Sequence, residues 1–261
     1  MTDDAPPMGF FSRIAHPGQF LVWSRYLIAP LAAVSALLFA TGLWFALVNS
    51  PDDYQMGSTV RIMYVHVPNA WLAQLCYGVM AVASIGTLVW RHPLADVAAK
   101  SAAPLGAAFT AIALITGSLW GRPTWGTFWE WDGRMTSTLV LLFIYLGIVA
   151  LWRTFEDQNR AGRVIAVVTL VGAINIPIIK FSVDWWNTLH QPASVLRAGG
   201  PSMPASILTP LLLMTLAFTF LFLCLHVVSM RTEIRRRRIA AMQRRHAIEV
   251  GGAGAPEASG P

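Results

Sequence analysis

Three short segments hold most of the residues with chemistry to offer. STVRIMYVHVPNAW (58–71) contains Arg61 and His66, and KFSVDWWNTLHQPAS (180–194) contains His190. Between them in sequence lies WGRPTWGTFWEWDGRMT (120–136), with Trp120, Trp125, Trp129 and Trp131, the acids Glu130 and Asp132, and the arginines Arg122 and Arg134. Imidazole nitrogen is an ordinary axial ligand of haem iron, and two imidazoles can hold the metal from both faces of the ring. A porphyrin is a broad apolar disc with two carboxylates on one edge; indoles match the disc and arginines pair with the carboxylates. The three segments together therefore make a candidate haem site. The loop can present its rings in two ways. If it is helical, Trp125 and Trp129 share a face; if it is extended, Trp125, Trp129 and Trp131 share one and Glu130 and Asp132 take the other. Gly121, Pro123, Gly126 and Gly133 punctuate the stretch and argue against a long regular helix.

The elements that must position these residues are membrane spans. The chain is 55% hydrophobic and only 12% charged, with a mean hydropathy of +0.54, whereas soluble domains are about 25% charged. Six apolar stretches, near 26–48, 67–90, 101–120, 136–152, 163–182 and 205–230, are long enough to cross a bilayer as helices. The expected fold is thus an all-α integral membrane protein, with residues 1–230 as one six-span domain. The tryptophan-rich loop at 120–136 lies on its outer face. Residues 231–261 form a basic tail whose end, GGAGAPEASGP, has no apolar periodicity and reads as disordered. Pro30, Pro104, Pro177 and Pro210 fall inside spans and predict kinks. The fifth span, with Pro177 near its end at Lys180, is the least regular.

Lysines and arginines set the orientation. Fourteen of the nineteen lie in the N-terminal segment, the second-to-third and fourth-to-fifth connections and the C-terminal tail; five lie on the other side. By the positive-inside rule both termini are cytoplasmic and the tryptophan loop is outside. His66 and His190 share a side whichever way the chain inserts, because four crossings separate them. The net charge of +6 might point to nucleic acid, but seven of the basic residues sit in RTEIRRRRIAAMQRR. A cytoplasmic helix end against anionic lipid or a protein partner accounts for that cluster without a nucleic acid. Cys76 and Cys224 both lie in apolar runs and make no zinc or disulfide framework, and no C-x-x-C-H sequence offers covalent haem attachment. The N-terminus is polar and acidic before its first arginine, unlike a signal peptide, so the first span is expected to be retained.

The motif WGTFWEWDGRMTS resembles the tryptophan-rich "WWD" signature of haem-handling proteins in cytochrome c maturation. VRIMYVHVPNAW and SVDWWNTLHQPAS are similar to the two histidine-bearing segments of its CcmC family, and the resemblance covers about residues 20–230. It implies a protein of the bacterial inner membrane that holds haem b transiently at the periplasmic face. There it promotes attachment of haem to the haem chaperone CcmE, in a complex with the ABC-transporter-like CcmA and CcmB and the small protein CcmD. By motif position His66 and His190 are then the axial ligands. Trp120, Trp125, Trp129, Trp131 and Asp132 form the aromatic platform and its polar edge, and Arg61 and Arg134 contact propionates or the chaperone. No catalytic residue is implied; the activity is at most haem lyase-like, because the nucleophile belongs to the chaperone.

Three other readings compete. Tryptophans also anchor proteins at membrane interfaces, which suffices for Trp23, Trp44, Trp90 and Trp152. A transmembrane haem b electron carrier normally has its histidines within the spans, whereas His66 and His190 are expected at span ends. A permease or scaffold subunit of an ABC-type complex, with no haem site of its own, needs neither histidine. His226, inside the sixth span, has no partner visible in the sequence.

Overall fold

The computed structural model describes residues 16–186, 188–190, 194, 195, 197 and 199–253. A short helix α1 (Pro17–Trp23) leads into α2 (Arg25–Trp44), which ends in a π-helical turn at Phe45–Asn49. A 3₁₀ turn at Ser58–Ile62 runs into α3 (Met63–Val89), followed by α4 (Ala95–Trp125), α5 (Gly133–Thr154), α6 (Gln158–Gly172), α7 (Asn175–Trp185) and α8 (Ala205–Ala253). Six helical segments are long and apolar enough to cross a membrane: Arg25–Asn49, Ser58–Val89, Ala95–Trp125, Gly133–Thr154, Arg160–Trp185 and Ala205–Glu249. The all-α, six-span expectation holds.

The centre of the bundle is built on α3, α4 and α5. Tyr77 and Tyr145 are fully buried and meet edge to face, 5.3 Å between ring centroids. A buried hydroxyl needs a partner. Tyr145 donates to the Ala73 carbonyl at 2.7 Å and Tyr77 to that of Thr169 at 2.9 Å. Gly106 lets α4 approach α5, since a Cβ there would overlap the Tyr145 ring. Small residues likewise seat α2 on α8: Ser35 donates to the Ala217 carbonyl at 3.0 Å, and a Cβ at Gly42 would come within 2.9 Å of the Met214 sulfur.

Four spans differ from the sequence expectation. The second begins at Ser58 and not near 67, so His66 lies inside it and not at its end. The fifth span is two helices, broken at Ala173 and Ile174. Pro177 has no N–H and its ring opposes the carbonyl four residues back, so it is accommodated in the first turn of a new helix. The third span continues past residue 120 through Gly121 and Pro123 to Trp125 and stops only at Gly126, whose φ of +82° suits glycine. The sixth span does not end at 230 either. Residues 231–253 continue α8, at 49 residues about 70 Å long and so more than twice the hydrocarbon thickness. Side-chain contacts hold its first extra turns to the bundle. Arg231 donates to the Leu21 carbonyl and to Ser24 Oγ, both at 2.6 Å. Glu233 accepts from Lys100 at 2.6 Å and from Arg237 at 2.8 Å, and Arg237 reaches Asp96 at 2.6 Å. The stretch 251–261 reads as disordered in the sequence, yet its first three residues belong to α8; residues 254–261 lie outside the described residues.

Gly106→Ala is expected to lower stability by about 1–3 kcal/mol, the cost of overpacking a tight core. Gly78→Ala, where an added methyl meets open space, should leave it unchanged or slightly raised. Thermal unfolding of the two purified variants in detergent checks the contrast.

Candidate functional site

His66 occupies the first turn of α3, inside the span, because the 3₁₀ turn and helix start ahead of it. Its Nδ1 lies 3.0 Å from the Ala113 carbonyl on α4 and 3.3 Å from Thr116 Oγ1. A carbonyl oxygen only accepts, so Nδ1 carries the proton and Nε2 keeps its lone pair. Gly117 permits this approach, since a Cβ there would stand 2.9 Å from His66 Cε1. The Trp120 ring meets the imidazole edge on, 5.8 Å between centroids.

His190 is held in the same way by different means. Its Nδ1 is 2.7 Å from Asp132 Oδ2, again leaving Nε2 as the lone-pair nitrogen. Asp132 caps α5: its Oδ1 accepts the Met135 N–H at 2.7 Å, while Oδ2 also receives the Thr188 hydroxyl. Trp125 packs edge on against His190, with centroids 4.8 Å apart. Burial would raise the Asp132 carboxyl, but the hydrogen bonds from Thr188, Met135 and His190 hold it below the usual carboxylate range. Burial pushes His190 below the usual imidazole value, and Asp132 only partly reverses this, so the ring is neutral at pH 7.

Both histidines line one cavity of about 400 Å³, within the range of ordinary ligand pockets. Trp120, Trp125, Arg134 and Lys180 share its wall, which runs from Met56 and Val195 down to Ala73 and Leu141 in the apolar bundle. Among the described residues no carboxylate lies within 4 Å of the Arg134 guanidinium, and the Trp120 indole N–H is buried without a partner.

The remaining expected site residues are elsewhere. Asp132 stands behind His190 and does not line the cavity. Trp129 and Trp131 pack on each other at 5.3 Å outside it, and Trp131 is 73% exposed. Arg61 forms an ion pair with Asp52 at 3.0 Å and donates to the Ser50 carbonyl at 3.3 Å. Arg122 bonds the Gly126 carbonyl and lies over the Phe128 ring. The loop is thus part helix and part irregular, with Trp125 separated from Trp129 and Trp131 at Gly126.

A family model described as heme exporter protein C matches residues 10–245. The chain belongs to this family. Heme exporter protein C of Bradyrhizobium diazoefficiens is 62% identical over 230 residues, covering 88% of this chain and 87% of the relative. Heme exporter protein C of Escherichia coli strain K12 is 42% identical over 217 residues, 83% of this chain and 84% of the relative. A ccmC-like mitochondrial protein of Marchantia polymorpha is 46% identical over 184 residues, 70% and 78% of the two chains.

In this member of the heme exporter protein C family, the cavity also uses residues that the sequence did not single out. Lys180 enters the sequence reading only as the end of the fifth span and one of the five outer cations, and Thr188, Ala113 and Gly117 carry no motif of their own. Trp186 packs over Gly133, where a Cβ would come within 3.0 Å of the indole. Only a close helix pair or a loop folded back on its neighbour gives these residues a role.

The pH dependence has a defined sign. The fold favours neutral His190, so this contribution is full above the ordinary imidazole value of 6.5 and is lost as pH falls through the lower folded value. The Asp132 contribution is present above 3.8 and is lost in stronger acid. Thermal stability should therefore be level from pH 7 to 8 and decline below about 6.5. In His190→Gln the first part of that decline should be shallower.

Proposed function

We propose that this protein holds haem b transiently between His66 and His190 at the periplasmic end of an inner-membrane bundle and passes it to the chaperone CcmE for c-type cytochrome maturation. The observation that carries this reading is the matched pair of imidazoles: each Nδ1–H is spent on a fixed acceptor, and each ring faces one apolar cavity with Nε2 free to ligate. The donor set fits haem. Trp120 and Trp125 supply flat apolar surface, and Arg134 and Lys180 supply cations for propionates. When bound, haem brings the iron for the imidazoles and the vinyl groups for attachment to the chaperone. This chain orients the ring, covers part of it and keeps the ligand nitrogens deprotonated. Trp131 and Phe128, both exposed beside the cavity's loop, provide surface for the incoming chaperone. The names of the relatives agree with haem export, and with both termini cytoplasmic the basic end of α8 faces CcmA and CcmB, with CcmD completing the complex.

The visible spectrum of detergent-purified protein, made with ample haem, tests the reading. The wild type should show a low-spin bis-histidine spectrum that changes in both His66→Ala and His190→Ala. No haem in any of the three would move the assignment to a permease or scaffold subunit. Arg134→Gln should weaken haem binding about tenfold, the worth of one charge-assisted hydrogen bond, in an equilibrium titration. Arg61→Gln, already engaged by Asp52, should leave affinity unchanged.

A further inference from the structure

Both candidate ligands donate Nδ1–H, but to acceptors of different charge. His190 donates to the Asp132 carboxylate, an anion that is only 7% exposed. His66 donates to the Ala113 carbonyl, a neutral group, with the neutral Thr116 hydroxyl as its second neighbour. The aromatic surroundings are alike on both sides, with Trp125 edge on to His190 and Trp120 edge on to His66, so they do not offset this difference. Asp132 is also fixed in place, with Oδ1 on the Met135 N–H of α5 and Oδ2 held by Thr188. A carboxylate behind an imidazole gives the ring partial imidazolate character and makes Nε2 the stronger donor to a metal.

We propose that the two histidines are unequal ligands by construction: Asp132, acting through His190 as a positioning residue, makes His190 the anchor, and His66 is the ligand exchanged when haem is handed on. This rests on the haem-holding reading above. The step is a ligand substitution without electron transfer. Nε2 of His66 leaves the iron with its lone pair, and a donor on the acceptor protein brings its own pair to the same face. Haem stays tethered to His190 until that second bond has formed, so it is never released free into the lipid.

The full-length protein in detergent, loaded with haem and reduced, gives the test. His66→Gly, which leaves His190, should retain most of its haem, and His190→Gly should lose about tenfold or more. The iron–histidine stretch in the resonance Raman spectrum should lie at higher frequency in His66→Gly than in His190→Gly. Adding Asp132→Asn to His66→Gly should lower that frequency and weaken haem binding about 10- to 100-fold. Asparagine retains an oxygen that can cap α5, and Thr188→Val, which leaves the cap untouched but removes a hydrogen bond from the Asp132 carboxylate and so makes it a stronger acceptor for His190 Nδ1–H, should raise the stretch; opposite shifts in the two variants separate the effect of the charge from misfolding. Equal retention and equal frequencies in the two histidine variants, or no response to Asp132→Asn, would overturn the inequality while leaving the haem site standing. Absence of haem from the wild type would overturn both.

Discussion

The Asp132 carboxylate is the point on which the cavity's geometry turns. One oxygen accepts the Met135 N–H in the first turn of α5, and the other joins Thr188 and His190 from beyond α7. A capping bond alone stabilises a helix start by about 0.5–2 kcal/mol. Here the same side chain also ties the segment after α7 to the start of α5, and so fixes where one wall of the cavity stands relative to the helix that forms another. His66 needs no such device, because it sits on a helix and meets the carbonyl of a neighbouring helix directly.

The bundle makes this possible through close helix approaches and one break. Gly106 and Gly117 let α4 lie near Tyr145 and His66, placing the Ala113 carbonyl within hydrogen-bond reach of an imidazole. The break between α6 and α7, next to the Tyr77 hydroxyl, redirects the fifth crossing so that α7 packs on α5 and brings Lys180 and Trp186 to the cavity end of the molecule. At the opposite end, Lys100, Glu233, Arg237 and Asp96 join α4 to the extension of α8. Buried ions of this kind are tolerated because each has an opposite charge within hydrogen-bond distance.

Of the residues singled out in the sequence, His66, His190, Trp120, Trp125 and Arg134 meet at one cavity. The even number of crossings between His66 and His190 requires one face for both, and of the tryptophans between them in sequence Trp120 and Trp125 line the cavity, whereas Trp129 and Trp131 do not. Arg61 and Arg134 look equivalent in sequence, yet Arg61 is spent on Asp52 while Arg134 lines the cavity. Asp132 reads as a polar edge of the aromatic loop, but its partners are a helix terminus and a histidine 58 residues away. Local pattern does not report which of two like residues has found a partner, because that partner comes from another element.

What the sequence determined by itself is what hydropathy and short motifs can encode: six apolar helices, their approximate places, and which ionisable and aromatic residues share a side of the membrane. These follow from the length of the apolar runs and the cost of exposing backbone polar groups to lipid, both local properties. The tertiary structure alone decided the carriage of α4 to Trp125, the split fifth crossing, the continuation of α8 and the proton placement on both imidazoles. The two proton placements and the continuation of α8 depend on contacts between segments distant in the chain: a carbonyl on α4 facing α3, a carboxylate at the start of α5 facing the segment after α7, and a glutamate on α8 facing Lys100. Packing brings these partners within hydrogen-bond distance, and in an apolar surround an unpaired polar group costs enough that the pairing fixes the geometry.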